Sequence, residues 1–328
     1  MTPGAGAVVT AVPAVSADER EQVFDVDAQA EAVDGADALD DQVRIDLAAA
    51  AAPARHLLAR PPGEDALAGY AHADLRASDV VSCHVVVAPL VRRRGVGTAL
   101  LRALTDAANG LPLRVWAHGN TAAARAMAKS RGFEPVRELR RMRRRLDASL
   151  APAVYPPGVA VRAFVPGADD AAWVAVNAAA FADHPEQGRL GVDDLRQRVK
   201  QPWFDPAGFF LADRDGELLG YHWTKVHPTG AADGGPVGEV YVLGVHPDAQ
   251  GLGLGKALTL TGLRHLRDAG LGEVMLYVES DNLPAIAVYE RLGFTIASVD
   301  VMYAARDPDT SAGLLAETTP VVHRTMRR

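Results

Sequence analysis

The hydrophobic and polar positions in the second half of the chain predict a strand and a helix on either side of a glycine-rich turn. In the stretch GEVYVLGVHP, Tyr241, Leu243 and Val245 share one face, which is typical of a strand. The stretch GKALTLTGLRHLRDAG carries apolar residues near helical spacing and predicts a helix that ends at Gly270.

The pattern continues with another strand, a short helix and a final strand. The apolar run EVMLYVES predicts a buried strand, and a short helix is expected from about Asn282 to Gly293. The stretch TIASVDVMYA then predicts the last strand.

The first half of the chain carries the same order of elements, about 160 residues earlier, which indicates duplication of a whole domain. Gly95 and Gly97 match Gly253 and Gly255, Asn120 matches Asn282, and RGF at 131–133 matches LGF at 292–294. The stretch DASLAPAVYPPGVAV is rich in proline and lacks helical periodicity, so it is interpreted as a linker. We therefore expect domains at 1–148 and 159–328, joined by a linker at 149–158.

Composition and charge exclude several classes of protein. A chain of 328 residues, 48% of them hydrophobic, is long enough for two domains with separate cores. The formal net charge of −7 argues against a general nucleic-acid surface, and no apolar run reaches transmembrane length. We expect no secretory signal, and the single cysteine, Cys83, fits a reducing compartment. The expectation is a cytoplasmic monomer without nucleic-acid or membrane partners, whose arginine-rich stretch at 137–145 is a solvated strand.

Glycines between a strand and a helix let backbone N–H groups converge on an anion at the helix N-terminus, which suits a pyrophosphate. The turn does not fit the P-loop, because Lys256 is followed by Ala257 and the spacing differs. It does not fit the dinucleotide fingerprint either, because Leu258 stands at the third glycine position. Both QGLGLG at 250–255 and RRRGVG at 92–97 fit the pattern (Q or R)-x-x-G-x-(G or A).

That pattern resembles the acetyl-CoA site of the GNAT acetyltransferase superfamily, as does the downstream element of Asn282, Ala285, Tyr289, Gly293 and Phe294. The resemblance implies an α/β (α+β) fold of two tandem GNAT domains, each a mixed, mostly antiparallel twisted sheet flanked by helices. It also implies acetyl-CoA as cosubstrate. The ten histidines show no metal-ligand spacing, so no metal is expected. The implied acetyl-CoA contacts in the second half are Leu243, Gly244, Val245, Gln250, Gly251, Leu252, Gly253, Leu254, Gly255, Lys256, Asn282, Leu283, Pro284, Ala285, Ile286 and Ala287. Those in the first half are Val85, Val86, Val87, Arg93, Arg94, Gly95, Val96, Gly97 and Thr98.

Acyl transfer from a thioester to an amine needs a base for the ammonium and an acid for the leaving thiolate. Tyr289 stands where the GNAT pattern has its usual general acid, and Glu239 opens the strand that leads into the turn. The first half has Ala128 in place of Tyr289, and Val81 or Ser82 in place of Glu239. We therefore expect chemistry in the second half only, with the first half a weak acetyl-CoA site or a scaffold.

Within the superfamily, the whole chain is similar to the mycothiol synthase (mycothiol acetyltransferase) family, most strongly from about Phe181. The similarity lies in FADHPEQG, HWTKVH, MLYVESDN and SVDVMYA. The resemblance implies acetylation of the cysteinyl amine of desacetylmycothiol, a cysteinyl-glucosaminyl-inositol, as the last step of mycothiol biosynthesis. The substrate contacts that it implies are Asp41, Glu186, Lys225, Glu239 and Tyr277.

Two positions depart from that family's pattern, and two other functions stay open. Asp41 stands where the family has a glutamate, one methylene longer, and Ala88 stands where a histidine is common. A tandem GNAT enzyme could instead acetylate another amine, such as an aminoglycoside or a protein N-terminus. A non-catalytic acyl-CoA sensor is the third reading, against which the presence of Glu239 and Tyr289 argues.

Overall fold

In the computed structural model the described residues are 7–147, 149–182, 184, 187–231 and 234–305. Their contacts divide them into two compact units: unit 1, residues 7–138 with 299–305, and unit 2, the described residues within 139–298. No helix in this described part of the chain is long and apolar enough to cross a membrane.

The elements of the first half are β1 (Val8–Val12), α1 (Ala17–Asp34), α2 (Asp41–Ala48), β2 (Ala54–Arg60), β3 (Gly69–Asp74), β4 (Val81–Val87), α3 (Val96–Ala107), β5 (Leu113–Ala117), α4 (Ala122–Ser130) and β6 (Phe133–Arg145). Those of the second half are β7 (Ala160–Ala163), α5 (Asp170–Ala180), α6 (Val192–Val199), β8 (Phe209–Arg214), β9 (Glu217–Gly230), β10 (Pro236–Val245), α7 (Leu254–Asp268), β11 (Glu273–Glu279), α8 (Leu283–Arg291) and β12 (Thr295–Ala305).

Unit 1 is a mixed sheet with strand order β1-β2-β3-β4-β5-β12 and helices on both faces. Its pairs are antiparallel except β4 with β5, which are parallel. Neighbouring residues of a strand point to opposite faces. Accordingly Leu57 packs with Leu100 of α3, whereas Leu58 packs with Val23 of α1 and Val43 of α2. The two apolar clusters therefore lie on either side of one sheet.

Unit 2 repeats this plan with strand order β6-β11-β10-β9-β8-β7, in which only β10 and β11 are parallel. One face carries an aromatic cluster that includes Trp173 of α5, Phe209 and Trp223. The other face packs against α7 and α8, where Val240 and Leu263 are buried. The division into apolar faces explains why the alternation in the sequence predicted these strands correctly.

The last strand of each sequence half completes the other sheet. In unit 1, Val301 to Ala304 of β12 pair with Ala117 to Arg114 of β5. The Asp300 carboxylate accepts hydrogen bonds there from His118 Nδ1 at 2.9 Å and from the Gly119 N–H at 2.7 Å. In unit 2, the part of β6 from Leu139 to Arg145 pairs with β11. Each compact unit thus contains a strand segment from the opposite half of the sequence.

The expectation of a solvated arginine-rich strand is wrong, because β6 lies within a sheet. Met142 is fully buried, and Arg140, Arg141, Arg143 and Arg144 are only partly exposed. Arg143 Nη1 lies 3.2 Å from Glu273 Oε1, and Arg144 Nη1 donates to the Leu292 carbonyl. Arg143 and Arg144 therefore make contacts within unit 2, and the stretch is not a free basic surface.

A fully buried histidine of β9 supplies a test of this packing by pH. His222 Nδ1 donates to the Leu258 carbonyl at 2.8 Å, the ring packs where a Cβ on Gly262 would fall, and burial lowers the His222 pKa to about 4. An unfolded histidine titrates at about 6.5, so as pH falls from 6.5 toward 4 only the unfolded chain takes up the proton and stability is lost. We expect the stability advantage of the wild type over His222→Asn to fall by about 2 kcal/mol between pH 7 and pH 5.

Denaturant unfolding of both proteins at the two pH values measures this difference. The matched comparison is His246→Asn, which removes an imidazole that reaches solvent and should give no such fall. An advantage that stays constant with pH in His222→Asn would contradict the buried neutral imidazole.

Candidate active site

The two parallel strands of unit 2 pair over three residues and then separate. Gly238 to Val240 of β10 pair with Val274 to Leu276 of β11. Beyond Val240, the described residues of the two strands form no further pairs with each other. Opposite β9, the register shifts between Val240 and Val242, which makes Tyr241 an extra residue in β10. Such a bulge bends and twists a strand, so β10 turns away from β11 at this point. The predicted contacts Leu243, Gly244 and Val245 lie on the separated part of β10.

The glycine-rich turn that follows β10 leads directly into α7. Gly251 and Gly253 have φ of 79° and 80°, in the left-handed region that favours glycine, and Gly253 is the N-cap. No side chain caps α7, so hydrogen bonds from the first-turn N–H groups are left for an anion. A Cβ on either glycine would meet nothing within 4 Å, so backbone conformation and not crowding requires glycine here. The turn has the form that the phosphate hypothesis needs.

Asn282 has a local structural role at the start of α8. Its Oδ1 accepts a hydrogen bond from the Ala285 N–H at 3.2 Å, and Pro284 occupies the first turn. Both features are typical of a helix N-terminus. Ile286 is buried against the sheet, whereas Leu283 is 66% exposed. Asn282 therefore serves as the N-cap of α8, and its predicted contact with acetyl-CoA stays a prediction.

Tyr289 is held in an apolar setting that keeps its phenol protonated. The residue is 8% exposed, packs edge to face against Phe294 and belongs to one cluster with Val240. Burial raises the pKa of Tyr289 to about 12. Its Oη makes no hydrogen bond to the described residues. A phenol that is protonated at neutral pH and donates to no group among the described residues can serve as an acid.

Glu239 lies on the face of the sheet opposite to that cluster. Because Val240 packs with Tyr289, the preceding residue points to the other side, and there Glu239 is 6% exposed. Its cross-strand partner is Lys225, and its Oε2 lies 2.6 Å from His227 Nε2. Glu239 and Tyr289 thus lie on opposite faces of the unit 2 sheet.

Lys225 and Tyr277 lie on the same face as Glu239. Lys225 is 5% exposed, and its Nζ lies 4.7 Å from the ring centre of Trp203 and 5.4 Å from that of Tyr241. Such cation–π contacts stabilise an ammonium that is removed from water. Tyr277 follows the buried Leu276 on β11, so it points to the Glu239 face, and it is 40% exposed. The structure therefore brings three predicted substrate contacts to one face of unit 2.

The two other predicted substrate contacts have different positions. Glu186 lies outside the described residues, between His184 and Gln187. His184 Nε2 is 3.6 Å from Glu279 Oε1 at the end of β11, and the Gln187 amide donates to Asn177 Oδ1 at 2.9 Å. Asp41 is the first residue of α2 in unit 1. The structure thus does not bring Asp41 into unit 2 with the others.

Two histidines near these residues were missed by the sequence analysis. His227 approaches the carboxylate of Glu239, and His184 approaches that of Glu279 at the end of β11. Alternation along HWTKVH puts His227 on the same side as Lys225, so the signal was present, but it gave no reason to pair the imidazole with Glu239.

Unit 1 carries the binding turn in an altered form. Parallel pairing of β4 with β5 ends at His84 opposite Trp116, so Val85, Val86 and Val87 lie beyond it. Gly95 caps α3 with φ of 87°, but at the position of Gly251 stands Arg93, also left-handed at φ 66°. Arg92 is bound by both oxygens of Asp34, at 2.8 and 2.7 Å, so it supports the turn.

The remaining predicted contacts of unit 1 surround the start of α3. Val96 is buried, and Thr98 Oγ1 accepts a hydrogen bond from Arg131 at 2.9 Å. A Cβ on Gly97 would lie 2.9 Å from Met127 Cε, whereas one on Gly255 in unit 2 would have its nearest neighbour, Val245, at 3.7 Å. Space beside the turn is therefore narrower in unit 1.

Comparisons with known proteins agree on a family. The model of the acetyltransferase (GNAT) family matches residues 21–133 and 175–294. Two curated relatives named mycothiol acetyltransferase are similar to this chain. The protein of Thermomonospora curvata is 54% identical over 88% of this chain and 95% of its own length. That of Streptomyces avermitilis is 53% identical over 92% of this chain and 96% of its own length.

Two solved structures have a similar fold. A tandem GNAT protein from the clavulanic acid biosynthesis pathway aligns with a TM-score of 0.68 at 22% identity, covering 91% of this chain and 98% of its own. A GCN5-related N-acetyltransferase from Sphaerobacter thermophilus aligns with a TM-score of 0.64 at 22% identity, and the alignment covers 90% of this chain and 95% of that protein's chain.

Proposed function

We propose that this chain, which belongs to the mycothiol acetyltransferases of the GNAT acetyltransferase family, transfers the acetyl group of acetyl-CoA to the cysteinyl amine of desacetylmycothiol. The reaction would complete mycothiol biosynthesis. The observation that carries the proposal is the separation of β10 from β11, with a buried carboxylate on one face and a protonated phenol on the other.

Acetyl-CoA is the proposed acetyl donor, and the residues of unit 2 suit it. The uncapped first turn of α7 supplies N–H donors for the pyrophosphate, and the exposed Lys256 adds a positive charge beside them. The N–H and carbonyl groups of residues 243–245 on β10 would bind the pantetheine arm. Amides held in a fixed geometry also stabilise the oxyanion that develops during acyl transfer.

The two proton carriers have separate tasks in the proposed reaction. Glu239 accepts a proton from the substrate ammonium, which frees the nitrogen lone pair for attack on the thioester carbonyl. Tyr289 donates its proton to the sulfur as the carbon–sulfur bond breaks, and regains one from the nitrogen side. Overall the ammonium loses two protons, of which one ends on coenzyme A and one in solvent.

Lys225 and Tyr277 on the Glu239 face are proposed contacts for the hydroxyl-rich glucosaminyl-inositol part, because an ammonium and a phenol donate hydrogen bonds to hydroxyl oxygens. Glu186 and Asp41 are further proposed contacts, because carboxylates accept hydrogen bonds from hydroxyl groups. An α-amino group has a reference pKa of about 7.7 to 8.0, so at neutral pH little free energy is needed to remove a proton from its ammonium form. Asp41 would have to reach one methylene farther than a glutamate in its place.

The first sequence half is proposed to bind acetyl-CoA without catalysing transfer. It retains the left-handed glycine cap at Gly95. However, the side chain of Ala128 cannot donate a proton, and that of Val81 cannot accept one. We further propose a monomer in the cytoplasm. The one cysteine, which is buried and has no disulfide partner in the chain, fits a reducing compartment. Light scattering that gives the mass of two chains would contradict the monomer.

Incubation of the purified chain with acetyl-CoA and desacetylmycothiol tests the proposed function. We expect release of one thiol of coenzyme A per N-acetylated product, followed by a thiol reagent and by mass spectrometry. An aminoglycoside and an N-terminal peptide, assayed at the same concentrations, serve as competing amines. The proposal fails if either of these is acetylated faster than the cysteinyl sugar, or if coenzyme A binds without any turnover.

A further inference from the structure

Two imidazoles meet edge to edge inside unit 1. His84 of β4 is 4% exposed, and its Nδ1 lies 3.2 Å from Nε2 of His118, which follows β5. The ring centres are 5.3 Å apart, and the ring planes differ by 12°. That separation is nearly the longest that the contact between the two nitrogens permits, so the rings lie almost in one plane. One hydrogen therefore lies between the nitrogens, in the plane of both rings.

Each imidazole faces a carboxylate with its other nitrogen. His118 Nδ1 lies 2.9 Å from Asp300 Oδ2 on β12, and His84 Nε2 lies 3.4 Å from Asp40 Oδ2. The backbone carbonyl of Ala38 is a further acceptor for His84. We call Asp300, His118, His84 and Asp40 the histidine network. It connects β12 and β4 with the residue that precedes α2, all within unit 1.

The histidine network needs one proton more than two neutral imidazoles supply. Its three contacts require three hydrogens, because a bare nitrogen repels the lone pairs of a carboxylate oxygen or of another nitrogen. A neutral imidazole carries one hydrogen on nitrogen, so two of them leave one contact without any. The count uses only contacts within the network, so it is the same whatever else Asp300 binds.

The surroundings decide which imidazole carries the charge. Burial disfavours the charged form of both rings, but the hydrogen bond to Asp300 and its negative charge raise the pKa of His118. Burial lowers the pKa of His84, which also has the His118 cation as a neighbour. We therefore place a hydrogen on both nitrogens of His118 and leave His84 neutral, with its hydrogen on Nε2 toward Asp40.

Charged groups of the neighbouring elements also surround the histidine network. His72 of β3 is opposite His84, and its Nε2 lies 3.0 Å from Asp46 of α2, which Arg76 binds at 2.6 Å. The charge of Asp46 is thus matched by that of Arg76. The other groups are Asp37 and Asp41 on the α2 side, Arg114 of β5 and Arg137 of β6. The carboxylates on the α2 and β12 sides favour a proton on the imidazole pair.

We propose that His84 is a positioning residue for the start of α2, where its Nε2–H holds the N-cap Asp40 and thereby Asp41. The inference rests on the proposed function, because it takes Asp41 as a contact of desacetylmycothiol. Asp40 Oδ1 accepts a hydrogen bond from the Val43 N–H at 2.9 Å, while Oδ2 faces His84. A helix of eight residues is marginal by itself, so its first turn depends on a cap that is held in place.

Two substitutions of His84 separate positioning from packing. An asparagine amide can take the place of Nδ1 but does not reach Asp40, whereas a glutamine amide reaches the place of Nε2. We expect His84→Asn to raise the KM for desacetylmycothiol roughly 3- to 10-fold at pH 7, about the worth of one hydrogen bond. The kcat and the KM for acetyl-CoA should stay unchanged, and His84→Gln should recover most of the loss.

His56→Asn is the matched control for these substitutions. His56 of β2 is also buried, but its Nδ1 lies 2.7 Å from Tyr70 Oη and not from a residue of α2. Its substitution should leave the KM for desacetylmycothiol unchanged. An increase equal to that of His84→Asn would show that any buried histidine of this sheet has the same effect, and the positioning role would fall.

The pH dependence distinguishes a shared proton from packing. The third hydrogen of the histidine network is present below the raised pKa of His118, and it is lost as pH rises through that pKa. The wild type then loses the advantage that His84→Asn lacks at every pH. The ratio of the two KM values should therefore fall toward one as pH rises, and a ratio that does not change with pH would contradict the shared proton.

Two further readouts need no substrate. Nitrogen NMR of labelled histidines in the full chain should show hydrogens on both nitrogens of His118 at pH 7, and on Nε2 alone of His84. A hydrogen on Nδ1 alone of His84 would overturn the proposal without any variant. Amide hydrogen exchange at Val43 should be roughly 3- to 10-fold faster in His84→Asn than in the wild type or in His84→Gln.

The outcomes distinguish this inference from the proposed function. If desacetylmycothiol is not acetylated but exchange at Val43 responds as expected, the proposed function fails and the role of His84 in holding α2 stands. If desacetylmycothiol is acetylated and His84→Asn changes neither its KM nor the exchange, His84 has no positioning role. Equal increases of KM in His84→Asn and His84→Gln would also overturn it.

Discussion

Replacing Glu239 with glutamine is expected to lower kcat by roughly 10²- to 10⁴-fold, the usual contribution of a general base. The amide has nearly the shape of the carboxylate but cannot accept the ammonium proton. Since Glu239 lies on the face away from α7, we expect the affinity for acetyl-CoA, measured by calorimetry, to stay close to that of the wild type. The loss should appear in kcat and persist at saturating substrate.

Glu217→Gln is the matched control for this prediction. Glu217 opens β9 as an exposed carboxylate at the end of a strand, which is the ordinary structural explanation for a glutamate in such a place. Its substitution should leave turnover unchanged. Near-normal turnover in Glu239→Gln would show that Glu239 is likewise only a strand-end carboxylate and would remove the proposed base.

Alanine at Gly253 is expected to weaken binding of coenzyme A by roughly 10- to 100-fold, equivalent to one lost hydrogen bond to a charged group. The left-handed conformation at φ 80° is strained for a residue with a Cβ, and that Cβ would stand at the uncapped start of α7. Calorimetric titration with coenzyme A alone measures the effect without the amine substrate.

Gly270→Ala separates loss of the site from loss of stability. Gly270 follows the other end of α7, is also left-handed at φ 89°, and likewise has nothing within 4 Å of a Cβ. Both substitutions should lower the free energy of unfolding by about 1 to 2 kcal/mol. Only Gly253→Ala should weaken coenzyme A binding, and equal affinities in the two variants would place the phosphates elsewhere.

Much of the fold could be predicted because each element has one apolar face. The alternation of Tyr241, Leu243 and Val245 predicted β10, and the spacing in GKALTLTGLRHLRDAG predicted α7 with its end before Gly270. The predicted tandem GNAT fold is confirmed by the family match and by the similar solved structures. Local patterns were sufficient here because burial on a sheet face is a local property of the strand.

The exchange of final strands could not be predicted from those patterns. Alternation tells which residues of β6 and β12 are buried, but it does not tell which neighbour supplies the backbone hydrogen bonds. The carboxylate that fixes β12 in unit 1, Asp300, is 182 residues from His118 in sequence. Contacts of that range have no signature in a single sequence.

The candidate site was predictable to the extent that it follows the backbone. The turn at Gly253 and the strand that carries Glu239 could be recognised from spacing. The partner of Glu239 could not, because the hydrogen bond to His227 depends on the register of β9 against β10, which includes two irregularities. The roles of Lys225 and Tyr277 rest on family resemblance and stay predictions, whereas their common face is observed.

The exchanged strands bear on the origin of the chain and on attempts to divide it. A single ancestral copy could have made the same pairing only with a second molecule, as in a domain-swapped dimer. In the present chain the same association is internal, so it does not depend on the concentration of a partner. If the two halves of the chain, divided within residues 149–158, are expressed separately, we expect each fragment to be insoluble. Solubility should return only when both fragments are synthesised in the same cell.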